Sequence, residues 1–142
     1  MNVVDLIKKH EGLRLQKYIC PTGHPTIGYG HRILPNDNIT DDGITLPEAE
    51  RLLSLDILAA KNGCRALLQN WDSLNEVRQA VLIDMCFNLG IEGLSRFRKM
   101  LKWVRMWEFA EAAEEMIDSL YAVQVGYRAR ENARMLRTGE WI

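Results

Sequence analysis

The feature that most constrains this sequence is a change of hydrophobic period at Gly12. Before Gly12, the residues Val4, Ile7 and Glu11 recur at the spacing of one helix face, which places the Glu11 carboxyl group on an apolar stripe. After it, apolar and polar side chains alternate over residues 13–16, as in a half-buried β-strand. Glycine readily adopts the left-handed conformation that ends a helix, so we predict a short helix that ends at Gly12 and a strand directly after it.

The residues that follow predict a β-hairpin. Residues 21–23 read Pro-Thr-Gly and predict the turn, and residues 26–31 predict the returning strand. One face of this strand is large and the other is nearly bare, with Ile27, Tyr29 and His31 on the first and Thr26, Gly28 and Gly30 on the second. A strand without side chains on one face lets another molecule approach its backbone, and beside a hydroxyl and a carboxyl group that molecule could be an extended sugar chain.

Glu11 has the properties that a general acid needs. It lies at the carboxyl end of the predicted helix, where the backbone carbonyl groups disfavour a further negative charge, and partial burial disfavours that charge as well. Both effects favour the protonated carboxyl group, which is the form that donates a proton to a leaving group. A single Glu before a helix-ending Gly is usually a solvated surface residue, so the functional interpretation depends on the ordered set of residues around it.

That ordered set resembles the active-site region of the T-even phage lysozymes. Glu11 is followed at position 20 by Cys20 and then by Thr26, which opens the segment Thr-Ile-Gly-Tyr-Gly-His at residues 26–31. The family commonly has Asp where this chain has Cys20. Further segments are similar to the family in matching order, at residues 48–50, 72–74 and 137–141. The resemblance therefore covers most of the chain.

The resemblance implies a glycoside hydrolase that cuts the β-1,4 bond between N-acetylmuramic acid and N-acetylglucosamine in bacterial peptidoglycan. It implies that Glu11 protonates the leaving oxygen, while Cys20 and Thr26 hold a water molecule on the opposite face of the sugar, which would invert the anomeric centre. No metal or cofactor is expected. The residues implied to bind substrate are Gly28, Gly30, Asn88, Tyr121 and Arg128. Of these, Arg128 is also expected to approach Glu11.

Two other functions compete with this one. Because Cys20 replaces the usual carboxylate, the protein could bind glycan without cutting it, as a peptidoglycan-binding module. A lytic transglycosylase is the second alternative, since it would use one acid-base Glu and leave anhydro-sugar ends. The products released from cell walls distinguish all three functions.

The rest of the chain predicts mainly helices. Thr45 and Glu48 form a capping box for a helix that stays apolar on one stripe to Leu68, and such a helix is long enough to link two lobes. Ser73 with Glu76 predicts the start of a second helix, which is apolar nearly all round and should be the centre of the larger lobe. That helix is expected to end at Gly90, and further helices are predicted over residues 97–104, 107–116 and 126–137, the last stopped by Gly139.

These elements predict an α+β fold, mostly α, of the lysozyme-like kind. We expect one domain over residues 1–142, with a small sheet-bearing lobe at about residues 12–56 and a larger helical lobe formed by residues 1–11 and 60–142. The long helix is expected to join the two lobes, with the active-site cleft between them. His31 and Asp56 are both predicted to face inward, at positions that match the family. Because an unpaired buried charge is costly, we predict an ion pair between them with a structural role.

Composition limits the partners that this protein can have. The chain has 142 residues, 47% of them hydrophobic and 26% charged, and a net charge of -1 that provides no long-range field toward nucleic acid or membranes. We expect a monomer that binds peptidoglycan strands, does not bind nucleic acid and has no stable membrane association. Charged residues interrupt any signal peptide at the N-terminus, so we expect synthesis in a host cytoplasm and release to the cell wall through a holin-type pore. Three cysteines, Cys20, Cys64 and Cys86, are predicted to be free thiols.

Overall fold

The structure is a computed structural model that describes residues 1–119, 121–123 and 125–142. Within it the chain forms two compact units, one made of Val4–Ala59 and the other of Met1–Val3 with Ala60–Ile142. The helices and strands follow one another as α1 (Val3–Glu11), β1 (Arg14–Ile19), β2 (Pro25–Gly28), β3 (His31–Arg32), α2 (Leu46–Leu67), α3 (Glu76–Ser95), α4 (Arg98–Arg105), α5 (Phe109–Ile117) and α6 (Leu120–Thr138). The α+β, mostly α fold class predicted from the sequence is confirmed.

The first unit, Val4–Ala59, contains a three-stranded antiparallel sheet in the order β1-β2-β3. The prediction of one continuous strand over residues 26–31 is wrong, because the chain turns at Tyr29 and Gly30 and His31 pairs back with Ile27. The physical reason is backbone conformation: Gly28 has a φ of 67° and Gly30 a φ of 70°, which an extended strand does not accommodate. The alternation of Ile27, Tyr29 and His31 is the pattern of a strand, but Gly28 and Gly30 allow the chain to form a tight turn.

Helix α1 ends at Gly12 as predicted. Gly12 has a φ of 69°, and its N–H donates to the carbonyl oxygen of Lys8 at 2.9 Å. The buried residues of α1 are Leu6 and Ile7, whereas Val4 is 36% exposed, so Ile7 lies on the buried face as predicted and Val4 does not. The sequence grouped residues 1–11 with the helical lobe, whereas in the structure residues from Val4 onward belong to the sheet-bearing unit.

Helix α2 begins where its capping box predicts. The Glu48 N–H donates to the Thr45 hydroxyl oxygen at 3.3 Å, which satisfies one of the free donors at the start of a helix. Its buried residues in the sheet-bearing unit include Ala49, Leu52 and Leu53. The helix contributes residues to both units, since the division falls at Ala60.

The second unit is helical, and α3 supplies a large share of its buried residues. The cap of α3 is Asn75 and not Ser73, because the Asn75 side-chain oxygen accepts the Arg78 N–H at 2.9 Å while Ser73 is taken up in a short 3-10 turn. Gly90 interrupts the helix with φ 76° and ψ 167°, after which helical backbone resumes to Ser95. The buried face of α3 is apolar apart from one carboxylate, with Val77, Ala80, Val81, Leu82, Ile83, Asp84, Met85, Cys86 and Leu94.

The remaining helices complete this unit close to their predicted positions. Helix α6 contains one non-helical residue, Gly126, at the position where the sequence predicts the last helix to begin. It ends at Gly139, which has a φ of 71° and donates its N–H to the Met135 carbonyl oxygen at 2.8 Å. In the part of the chain that the structure describes, the helices are too short or too polar to span a bilayer.

Candidate active site

The Glu11 carboxyl group lies against the turn that follows β2. A Cβ atom placed on Gly30 would come within 2.5 Å of Glu11 Oε2, so any larger residue at position 30 would displace the carboxyl group. Gly30 thus provides the space that the Glu11 side chain occupies. The sequence assigned Gly30 to glycan binding, and the structure gives it a direct steric role beside the acid. Glu11 itself is partly exposed.

Gly28 has a different role. It is buried, and a Cβ atom placed on it would lie 3.5 Å from the Ala49 Cβ and 3.5 Å from the Ile44 Cδ1, which are ordinary packing distances. Its φ of 67° is therefore the feature that favours glycine. The sequence expected Gly28 to lie open to an approaching sugar chain, but at this residue the approaching groups are side chains of its own unit.

Cys20 lies at the end of β1, in the turn that joins β1 to β2. The Cys20 N–H donates to the His24 carbonyl oxygen at 3.0 Å, which closes the turn. Its sulfur lies 3.1 Å from the Thr22 hydroxyl oxygen, and the side chain is partly exposed. The turn therefore presents the thiol with a hydroxyl group beside it.

This environment changes the acidity of the thiol. The hydrogen bond with Thr22 is the largest influence, and together with backbone groups and the Thr26 hydroxyl it lowers the pKa of Cys20 to about 7, against a smaller opposing effect of burial. A free thiol, with a pKa of about 8.5, is only a few per cent thiolate at neutral pH. Neighbouring hydroxyl and N–H groups thus cause the shift of the Cys20 pKa.

Thr26 is held by the same turn. It is 3% exposed, and its hydroxyl group donates to the His24 carbonyl oxygen at 2.8 Å. The Thr26 oxygen also has lone pairs that can accept a hydrogen bond from another molecule. His24 is a residue that the sequence analysis missed, and it orients both Cys20 and Thr26 through its backbone. A carbonyl group carries no signal in its side chain by which it could have been found.

His31 lies between two carboxylates. Its Nδ1 is 2.7 Å from Asp56 Oδ2, and its Nε2 is 2.9 Å from Asp37 Oδ2. The structure thus brings His31 and Asp56 together and adds Asp37, to which the sequence analysis gave no role. Asp37 also accepts the Leu34 N–H at 2.6 Å, and a Pro followed by an acidic residue two positions later was the available signal for this turn.

The contacts of this cluster shift the pKa values of His31 and Asp37 in opposite directions. The hydrogen bond with Asp56, helped by Asp37, raises the pKa of His31 above its usual value in spite of burial. Burial alone would raise the pKa of Asp37, but the Leu34 N–H and His31 outweigh it and leave this pKa below its usual value. These hydrogen bonds thus favour the charged forms of His31 and Asp37 over the neutral forms.

Three of the predicted substrate-binding residues lie in the helical unit, and two of them belong to a buried network. Arg128 binds Asp84 through two nitrogens, at 3.1 Å and 3.0 Å, and Asp84 is fully buried. The Asn132 side-chain nitrogen donates to Asp84 at 2.7 Å and to the Tyr121 hydroxyl oxygen at 3.1 Å. We call Asp84, Tyr121, Arg128 and Asn132 the helical network.

Asn88, the third of these residues, has a different environment. Its side-chain oxygen is buried and has no hydrogen-bond partner among the described residues, although the residue as a whole is partly exposed. The oxygen is therefore an acceptor that a ligand hydroxyl or a water molecule could satisfy.

No group of three or more His, Cys, Asp or Glu side chains in the described residues is arranged to hold a metal ion. Cys64 and Cys86 are buried free thiols of the helical unit, whereas Cys20 is partly exposed. The three thiols therefore differ in accessibility, and the accessible one lies in the hairpin beside Thr26.

Comparison with known proteins gives consistent matches over nearly the whole chain. The family model described as Phage lysozyme matches residues 8–132. The chain is 26% identical to Probable T4-type lysozyme 1 of Dictyostelium discoideum, over 97% of this chain and 95% of that protein. It is 33% identical to an endolysin of Acyrthosiphon pisum secondary endosymbiont phage 1, over 79% of this chain and 73% of the relative.

A third relative is much longer than this chain. The chain is 27% identical to the pre-baseplate central spike protein Gp5 of Enterobacteria phage T4, and the match covers 98% of this chain but only 28% of Gp5. The likeness to Gp5 thus concerns a part of that protein.

Proposed function

We propose that this chain, which belongs to the phage lysozyme family, hydrolyses the β-1,4 bond between N-acetylmuramic acid and N-acetylglucosamine in bacterial peptidoglycan. The observation that carries the proposal is the geometry of the sheet-bearing unit. It contains a partly exposed Glu11 carboxyl group beside Gly30, and a hairpin that carries the partly exposed Cys20 thiol and the buried Thr26 hydroxyl group. An acid and a site for a water molecule are the two components that glycoside hydrolysis needs.

Glu11 is proposed to be the general acid. Bond cleavage leaves electrons on the oxygen of the departing sugar, and a proton donated to that oxygen makes it a better leaving group. The absence of a side chain at Gly30 leaves room for the Glu11 carboxyl group beside the turn.

Cys20 and Thr26 are proposed to hold the attacking water molecule. The Thr26 oxygen accepts one hydrogen of the water, and the Cys20 thiolate accepts the proton that is lost when the water attacks the anomeric carbon. A pKa of about 7 gives Cys20 a substantial thiolate fraction at neutral pH, which suits it to this role. Attack from the face opposite the leaving group inverts the anomeric centre in one step.

The helical unit is proposed to contribute to glycan binding through Asn88, whose buried oxygen is an acceptor for a sugar hydroxyl group. Arg128 and Tyr121 are proposed to support the unit through the helical network, because their polar atoms bind Asp84 and Asn132. The approach of Arg128 to Glu11 stays a prediction. We further propose that the protein acts on the cell wall as a monomer and is made in a host cytoplasm and released through a holin-type pore.

The experiment that tests this function is a digestion of purified cell walls, followed by assay of reducing ends and mass spectrometry of the released fragments. Hydrolysis predicts new reducing ends on N-acetylmuramic acid with the mass of one added water molecule. Anhydro-sugar ends would instead identify a lytic transglycosylase. Binding to the walls without any release of fragments would identify a peptidoglycan-binding module.

A further inference from the structure

We use the name active-site hairpin for the β1–β2 hairpin of residues 14–28. Tyr18 belongs to this hairpin and has no role in the proposed function. It is the direct partner of Thr26 in the β1–β2 pairing. Residues opposite each other in an antiparallel pair have their side chains on the same face of the sheet. Tyr18 therefore lies on the face where Thr26 is proposed to hold water.

The guanidinium group of Arg14 lies over the Tyr18 ring. The Arg14 guanidinium carbon lies 4.5 Å from the centroid of the ring, within the range of a cation–π interaction. Arg14 and Tyr18 are four residues apart on β1, so this contact is local and does not depend on other elements. The ring is partly exposed, which leaves part of it accessible to a ligand.

The charges of both proposed catalytic groups influence the acidity of Tyr18. Burial is the largest influence and raises its pKa, and the charges of Glu11 and Cys20 raise it further, while Arg14 opposes them. The charges of Glu11 and Cys20 thus both act on the acidity of the Tyr18 phenol. It also stays protonated at neutral pH, so its hydroxyl group is a hydrogen-bond donor.

That hydroxyl group has no hydrogen-bond partner among the described residues of the protein. A donor on a fixed ring, near an acid and a water site, is matched to the oxygen acceptors of a sugar, which carries hydroxyl, ring and N-acetyl oxygens. An aromatic ring that only fills space would not need a hydroxyl group at this place.

We propose that Tyr18 is a further substrate-binding residue of this site, whose hydroxyl group donates a hydrogen bond to the glycan while Arg14 holds its ring in place. This inference rests on the proposed function, because it takes the glycan as the ligand of the hairpin. Tyr18 then helps to orient the sugar whose bond Glu11 and the Cys20–Thr26 pair act upon.

The test measures binding in a protein that cannot complete the reaction. In the Glu11→Gln background, calorimetry with a soluble tetrasaccharide of alternating N-acetylglucosamine and N-acetylmuramic acid compares Tyr18 with Tyr18→Phe. The substitution keeps the ring and its contact with Arg14 and removes only the donor, so affinity should fall about tenfold while the thermal midpoint is unchanged. The matched control is Tyr127→Phe, which removes the hydroxyl group of a tyrosine that is 67% exposed and should leave affinity unchanged.

A second variant tests the role of Arg14. Replacing Arg14 with Met removes the cation and keeps most of the side-chain volume, so affinity should fall by less than in Tyr18→Phe, because the donor remains but its ring is no longer held. Unchanged affinity in Tyr18→Phe, or a loss that only follows a lowered thermal midpoint, overturns the proposal.

The same proteins with Glu11 restored separate this inference from the proposed function. In the reducing-end assay, Tyr18→Phe should lower kcat/KM without moving the pH limb that reports Cys20. A displaced limb would mean that the hydroxyl group serves the thiolate and would overturn the substrate contact. If the unaltered protein releases no reducing ends but Tyr18→Phe still weakens glycan binding, the proposed hydrolysis fails and the inference about Tyr18 stands.

Discussion

The active-site hairpin and the helical network both contain residues that the sequence assigns to substrate, yet their polar atoms are used differently. In the helical network, the carboxylate of Asp84 is fully buried and bound by Arg128 and Asn132. In the active-site hairpin, Cys20 is partly exposed and has a lowered pKa. A buried charge depends on the partners that compensate it, so loss of a partner is costly, whereas exposed groups with altered acidity are available for reaction.

The largest expected effect is on stability, in the helical network. Asp84→Asn keeps the shape of the side chain and removes the charge that compensates Arg128, which is almost buried at 11% side-chain exposure. The free energy of unfolding should fall by about 3 kcal/mol, as for other buried ion pairs that lose one partner. Urea denaturation followed by circular dichroism measures this change.

The matched control is an exposed ion pair of the same unit. Arg137 and Glu114 are 3.0 Å apart with side chains 53% and 65% exposed, so Glu114→Gln should change the free energy of unfolding by less than about 0.5 kcal/mol. A loss in Asp84→Asn no larger than in this control would show that the helical network does not stabilise the fold. The activity per folded molecule should fall far less in Asp84→Asn than in Glu11→Gln.

In the sheet-bearing unit, Glu11→Gln should lower activity without lowering stability. The substitution keeps the volume that fits against Gly30 and removes the acidic proton, so release of reducing ends should fall by about 100-fold or more. The thermal midpoint should stay close to that of the unaltered protein. A folded Glu11→Gln protein that cleaves walls at a near-normal rate would remove Glu11 from the mechanism.

His31, Asp37 and Asp56 form a cluster, the His31 cluster, that should stabilise the sheet-bearing unit. A double-mutant cycle of His31→Asn and Asp56→Asn should give a coupling of about 1 to 3 kcal/mol in the free energy of unfolding at about pH 6. The physical reason is the contact of 2.7 Å between His31 Nδ1 and Asp56 Oδ2, away from full solvent. Additive losses would mean that the two side chains do not stabilise each other.

The pH dependence of this stabilisation has a definite sign. Since the pKa of His31 is raised on folding, its contribution is complete below about pH 6.5 and is lost as pH rises through the folded value. Since the pKa of Asp37 is lowered, its contribution is complete above about pH 3.9 and is lost as pH falls through the folded value. The cluster should therefore stabilise most between about pH 4 and pH 6.5.

An exposed ion pair of the same unit provides the control for this cycle. Lys17 and Asp41 are 3.2 Å apart, and the Asp41 side chain is 100% exposed. A cycle of Lys17→Met and Asp41→Asn should give a coupling near zero, because solvent screens the pair. Coupling at His31 that persists unchanged at pH 10 would contradict an ionic origin.

The smallest expected effects come from substitutions at Cys20. Cys20→Ala should lower activity at pH 7 about tenfold, less than is typical for loss of a general base, because Thr26 still holds the water molecule. Cys20→Asp should retain activity and extend it to lower pH, since an Asp is ionised above about pH 4 whereas the thiol is not. Rates of reducing-end release from pH 4 to pH 9 check both, and full activity of Cys20→Ala over this range would exclude a catalytic part for position 20.

Some features could be predicted from the sequence because their causes are local. The helix end at Gly12 and the capping box at Thr45 depend on residues within one turn of each other. The turn at Gly30 was missed because the alternating Ile27, Tyr29 and His31 give the same pattern as a strand, and only the backbone conformation of the glycines distinguishes the two.

Other features have causes that lie far apart in the chain. Asp84 stands within an apolar run, and its partner Asn132 is 48 residues away, so no local pattern indicates their contact. The acidity of Cys20 depends on a hydroxyl group two residues away and on how the turn orients it, which residue types alone do not specify. The sequence thus supports a hypothesis about which residues carry chemistry, whereas it does not specify their surroundings.

The measurement that tests the central claim most directly is the alkylation of Cys20 with iodoacetamide at pH 5 to 9, with activity assayed on the same samples. Because the thiolate reacts, the labelling rate should rise through about pH 7, and activity should fall in proportion to the fraction of Cys20 alkylated. Cys64 and Cys86, 0% and 4% exposed, should label far more slowly. Complete alkylation of Cys20 with full wall-cleaving activity would contradict the claim that this hairpin carries the reaction.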